Sequence, residues 1–120
     1  MTRNIIAVVD DLFFASKIRG TAEELGVTAS FVRSISALLE VARRDHPSLI
    51  ICDLHSQRVS PPDLAKRLKA DEQLQTIPLL GFFSHVQIEL QRQAEAAGFD
   101  RVMPRSAFSK NLGEILSGNK

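Results

Sequence analysis

The chain has no tryptophan, no tyrosine and one cysteine among its 120 residues. A lone cysteine, Cys52, excludes an internal disulfide and any zinc site built from four cysteines. An excess of either charge is also missing: 15 Lys+Arg face 14 Asp+Glu, a net charge of +1. No global field therefore favours nucleic acid or an anionic membrane. No apolar run nears the ~18 residues of a membrane-spanning helix. The first run, residues 5–9, is short and is followed by two aspartates, unlike a signal peptide. The expectation is a cytoplasmic chain with no membrane contact and no direct contact with nucleic acid. What is present is ordinary for a globular domain: 44% hydrophobic and 24% charged residues. That balance excludes a disordered chain. A chain of this length buries enough surface to fold without a metal or disulfide, so residues 1–120 are read as one domain.

Three nearly continuous apolar runs, residues 5–9, 49–52 and 79–83, have the pattern of parallel strands covered on both faces. Residues 27–32 make a weaker fourth strand and residues 101–103 a short fifth. Helical patterns lie between them. Phe14, Ile18 and Leu25 share one face, as do Ala37, Leu38, Val41 and Ala42 after Ser36, a plausible N-cap. Ser60-Pro61-Pro62-Asp63 is a capping-box pattern with proline at the first helical position, followed by Leu64 and Leu68. Ser84-His85-Val86-Gln87 is a second box, opening a helix through Val86, Leu90, Ala94 and Ala97 that ends at Gly98. A last helix runs from about Ser109 through Leu112, Ile115 and Leu116 towards Gly118. Strand and helix thus alternate five times. The expected fold is flavodoxin-like α/β, a (βα)5 doubly wound parallel sheet of order 2-1-3-4-5.

In such a sheet a ligand binds beyond the carboxyl ends of strands 1 and 3, where the strand order reverses. The residues there are Asp10 and Asp11 after strand 1 and Asp53 after strand 3. One aspartate opening a loop is common. Three at adjacent strand ends repel one another unless a cation joins them, and a hard divalent ion such as Mg2+ suits oxygen ligands. The histidines His46, His55 and His85 have no metal-ligand spacing, and Cys52 reads as a small buried hydrophobe. Helix geometry cannot bury both Phe13 and Phe14, so Phe13 is expected near the acid pocket or on a partner surface.

Four segments together carry a resemblance: Val8-Val9-Asp10-Asp11, Pro47-Ser48-Leu49-Ile50-Ile51-Cys52-Asp53-Leu54, Ile77-Pro78-Leu79-Leu80 and Ala97-Gly98-Phe99-Asp100. In their spacing the chain resembles the CheY-like receiver domains of two-component response regulators, over essentially its full length. The resemblance implies a signalling protein of a phosphorelay, not an enzyme. Asp53 would accept a phosphoryl group from the histidine of a kinase or phosphotransfer protein. Asp11 and Asp53 would bind Mg2+ weakly and directly, Asp10 through water, and the backbone carbonyl of His55 would be a further ligand. An unknown downstream protein would read the result, with the chain a monomer or weak homodimer. The chemistry suits the residues, since a carboxylate nucleophile forms an acyl phosphate.

The departures from the family pattern concern the output switch. Phe83 stands where receivers carry a strand-4 threonine or serine, and Ser84 follows it. Ser84 either takes the hydroxyl role through a slipped strand end or caps the next helix with Gln87. Arg105 replaces a nearly obligatory lysine and Ser106 the proline after it. Arg105 is expected to contact the phosphoryl group or, without one, to fork against Asp53. Val102 replaces the switch aromatic, and Gln57 and Pro61 occupy the places of a Met-Pro pair and a glycine. The resulting expectation is an atypical receiver with a degenerate switch. The alternative is a phosphorylation-independent interaction module, a pseudo-receiver with a vestigial acid pocket. A flavodoxin-type flavin site is disfavoured, because Asp10 and Asp11 stand where a phosphate loop would be needed.

Overall fold

The computed structural model describes residues 3–84 and 87–118. Its strands are β1 (Asn4–Val8), β2 (Thr28–Phe31), β3 (Leu49–Asp53), β4 (Leu79–Phe83) and β5 (Arg101–Pro104). Its helices are α1 (Leu12–Leu25), α2 (Ile35–Asp45), α3 (Pro61–Lys69), α4 (Ile88–Ala97), α5 (Arg105–Lys110) and α6 (Leu112–Ser117). All neighbouring strands pair in parallel, in the order β2-β1-β3-β4-β5. This is the expected topology. No helix among the described residues is long and apolar enough to cross a membrane.

The continuous apolar runs have a direct structural reason. Alternate residues of each central strand enter two separate cores, one on each face of the sheet. Ile6, Val8, Ile50, Cys52, Leu79 and Phe83 pack on the side that holds residues of α2, α3 and α4. Ile5, Ala7, Ile51, Leu80 and Phe82 pack on the other side, with residues of α1, α5 and α6. Both faces being covered, neither set of positions tolerates a polar side chain. On the second face Phe14, Phe82 and Phe108 form one aromatic group, with ring centroids 4.9–5.8 Å apart. Cys52 is fully buried, as expected for a small hydrophobe, and burial raises its thiol pKa above any functional range.

Several element boundaries differ from expectation. Ser34, not Ser36, caps α2, its hydroxyl accepting from the Ala37 N–H at 3.1 Å; the earlier start brings Ile35 against the core. Ser60 stands at the N-cap of α3 but makes no side-chain cap bond. Pro61 and Pro62 supply no N–H, which leaves only Asp63 to donate within the first three helical positions. Leu25 is 44% exposed. Ala22 fills that face one turn earlier, and the chain leaves the helix at Gly26 in the left-handed region. The last helix starts at Arg105 rather than near Ser109 and is broken at Asn111 (φ −104°, ψ 15°) into α5 and α6. α4 starts at Ile88 with Gln87 at its N-cap, so Ser84 lies too early in the chain to cap it. His85 and Val86 of the expected capping box lie outside the described residues.

Gly81 in β4 faces Leu54 and Phe99. A Cβ there would lie 2.7 Å from Leu54 Cδ2 and 3.0 Å from Phe99 Cδ2, inside the packed core. Gly81→Ala is therefore expected to destabilise the fold by about 1–3 kcal/mol through overpacking. Urea denaturation checks this; an unchanged midpoint would mean that the β4–Leu54–Phe99 contact is loose.

Candidate functional site

The loops that follow β1 and β3 bring Asp10, Asp11 and Asp53 to the carboxyl edge of the sheet, at the reversal of strand order. Asp53 ends β3, a strand hydrogen-bonded on both sides, and is 8% exposed. Burial raises its pKa above the ordinary carboxylate value. The backbone N–H of His55, donating to Asp53 Oδ1 at 2.9 Å, opposes that rise.

Asp10 is committed to the loop after β3. Its Oδ1 accepts from the Ser56 hydroxyl at 3.0 Å and its Oδ2 from the Gln57 N–H at 2.8 Å. The Ser56 oxygen in turn accepts from the N–H groups of Arg58 and Val59, both at 3.2 Å. The loop is thereby folded around Asp10. Nothing in the residue pattern marked Ser56 for this role, although a serine three residues past a strand-end acid is a natural turn former.

Asp11 is the N-cap of α1. Its Oδ1 accepts from the N–H groups of Phe13 at 2.9 Å and Phe14 at 3.2 Å. Its Oδ2 accepts from the Arg105 guanidinium at 3.1 Å. The Phe14 N–H first, and then Arg105, lower the Asp11 pKa. Arg105 also lies over the ring of Phe14, 4.0 Å from guanidinium carbon to ring centroid. The expected fork between Arg105 and Asp53 is thus not what forms. The Phe14 ring, wedged against Phe82 and Phe108, holds the planar guanidinium on the α1 side, where Asp11 Oδ2 is within reach. Arg105 acts on Asp53 only through space, favouring its ionised form less than His55 does.

Phe83 is buried in the core on the α2–α3–α4 side of the sheet. Ser84 is exposed and lines an open groove of about 530 Å³ with Phe13, Phe14, Lys17, Arg105 and Ser109. Lys17 donates to the Ser109 hydroxyl across this groove. Phe13, 90% exposed, lines this groove, and of the three acids its N–H contacts Asp11. Val102 is half-buried in β5.

The expected metal residues Asp10, Asp11, Asp53 and His55 lie at one edge, but the carboxylate oxygens of Asp10 and Asp11 are engaged elsewhere. Among the described residues no group of three or more His, Cys, Asp or Glu side chains is arranged to hold a metal ion. Asp10 spends both oxygens on the loop, and Asp11 spends both on the helix cap and the guanidinium. As arranged, these donors do not fit a divalent ion.

A parallel five-stranded sheet of order 2-1-3-4-5 with alternating helices is the CheY-like flavodoxin fold. No family model matches the chain. The polar-differentiation response regulator DivK of Brucella ovis is 34% identical to it over 80 residues, covering 67% of this chain and 65% of DivK. The DivK of Brucella abortus matches to the same extent. The matched stretch is thus just under two thirds of those relatives' length. Among solved structures, the chemotaxis response regulator CheY4 of Vibrio cholerae superposes with a TM-score of 0.82, 16% identity and 98% coverage of both chains. A response regulator of Chloroflexus aurantiacus does so with a TM-score of 0.84, 18% identity and coverage of 98% and 97%. The fold is CheY-like, and over 80 residues the sequence is similar to the DivK response regulators.

The two strand-end acids should differ in sign in their effect on stability. Asp53 has a raised pKa, so its ionisation opposes folding; that cost is absent below the ordinary carboxylate range and sets in as pH rises through the folded-state value. Asp53→Asn, which keeps an oxygen for the His55 N–H, is expected to raise the urea midpoint at neutral pH, with the gain vanishing in acid. Asp11 has a lowered pKa, so its contribution is present above the ordinary range and is lost as pH falls through the folded-state value. Asp11→Asn is therefore expected to lower the midpoint at neutral pH. Urea titrations of both variants across pH check the pair, and shifts of the same sign at neutral pH would contradict this reading.

Proposed function

We propose that the chain is an atypical receiver domain of two-component signalling, with Asp53 as phosphoacceptor and a degenerate output switch. The observation that carries the reading is the placement of Asp53: a buried carboxylate that ends the central strand at the topological switch point, with Asp10 and Asp11 beside it. A carboxylate there can attack a phosphoryl group and become an acyl phosphate, while the donor's leaving group departs with its electron pair. The donor would be a histidine kinase or phosphotransfer protein and the reader a downstream protein, as a monomer or weak homodimer. Polar differentiation, the role in DivK's name, belongs to that protein.

The switch is degenerate for three reasons. Phe83 presents no hydroxyl and its ring is packed in the core. Val102 offers no aromatic ring to rotate between buried and exposed positions. Arg105, the remaining phosphate-contact residue, is already paired with Asp11. Ser84 has the hydroxyl that Phe83 lacks, but it opens into the Phe13–Arg105 groove. The pairing of Arg105 with Asp11 also favours a second reading, in which the domain docks on its partner without phosphorylation and the acids are vestigial.

Intact mass after incubation with a small phosphodonor separates the two. The first reading expects slow addition of one phosphoryl group to the wild type and none to Asp53→Asn. Amide shifts on modification should stay near Asp53 and leave residues 88–90 and 102–108 nearly unmoved. Large shifts across those residues would show a working switch and defeat the degenerate reading. No uptake at all would leave the docking module.

A further inference from the structure

We propose that Arg105 is the resident cation of the acid pocket, standing on Asp11 where a divalent ion would otherwise be held and keeping that ion out. The proposal deepens the receiver reading, on which it rests only for the expectation that an ion belongs at this edge.

Every carboxylate oxygen of Asp10 and Asp11 that an ion would need has a competing partner. Asp11 Oδ1 is taken by two backbone N–H groups of the helix cap, and Oδ2 by Arg105. Asp10 can ligate only by releasing Ser56 and Gln57, and with them the loop after β3. Asp53 alone is a single carboxylate, too little for a hard ion that sheds water reluctantly. A divalent ion at Asp11 must also displace the guanidinium, because two cations on one carboxylate oxygen repel.

The guanidinium is not easily displaced. Its face lies on Phe14, and that ring is fixed by Phe82 and Phe108. A lysine at this position would be a hydrated point charge without a planar face for the ring, and thus a weaker occupant. The two side chains are 34% and 40% exposed, so ions in solution reach the pair directly. Arg105 is accordingly a positioning residue that decides which cation the acids see.

Titration of Mg2+, and separately of Mn2+, into the unphosphorylated protein tests this. Calorimetry and the amide shifts of Asp11 and Asp53 are the readouts. Wild type is expected to show no saturable response in the low millimolar range. Arg105→Gln and Arg105→Ala are expected to bind roughly tenfold or more tightly, since two occupants of one oxygen are linked by competition. Adding Asp11→Asn to Arg105→Gln should abolish the gain. Arg105→Gln keeps a planar side chain, so a binding result survives even if Arg105→Ala folds poorly. Wild-type binding as tight as that of the variants, or variants that gain nothing, would overturn the proposal. Phosphoryl uptake plays no part in this titration, so the phosphoacceptor reading can fail while the metal result stands.

Discussion

The carboxyl edge of this sheet is organised around one shared guanidinium. Arg105 touches Asp11 and the face of Phe14 at once, and Phe14 belongs both to α1 and to the aromatic group that seals α1, α5 and α6 onto the sheet. A surface ion pair alone contributes little. Here the pair is tied to a fixed ring, and the helix capped by Asp11 is the helix that delivers that ring. Cap, cation and core therefore support one another. The same arrangement removes Arg105 from Asp53, and Asp53 is left with burial as the dominant influence on its charge.

Two neighbouring acids of the same type consequently have opposite characters. Asp11 is exposed to cations and N–H donors and is stabilised as an anion. Asp53, at the end of a strand paired on both sides, is penalised as one. A buried carboxylate with a raised pKa at a switch point is a candidate functional group. Asp10 is different again, because it works as the anchor of the loop that carries Ser56 and Gln57. An apparently uniform acid cluster is in fact three carboxylates with three separate functions.

Much of the fold was legible in the residues. Two-sided burial writes itself as unbroken apolar runs, so residues 49–52 and 79–83 fell within a residue of β3 and β4, and the parallel order followed from the alternation with helices. Helix ends were less legible. Ser34 and Ser36 have the same chemistry, and only the packing of Ile35 decides which one caps. The break at Asn111 leaves Leu112, Ile115 and Leu116 on the expected buried face, so periodicity alone could not reveal it. At the site, the positions of Asp10, Asp11, Asp53 and Arg105 were legible because strand ends place them. Their partners were not. Reach alone allowed Arg105 either acid, and the choice depends on a ring whose position is set by Phe82 and Phe108, far away in the chain.

Arg105 belongs to Asp11 and not to Asp53. Two double-mutant cycles on folding stability at neutral pH test it most directly, one combining Arg105→Gln with Asp11→Asn and the other combining it with Asp53→Asn. The account predicts a favourable coupling between Arg105 and Asp11 that exceeds any coupling between Arg105 and Asp53. A larger coupling to Asp53 would contradict it.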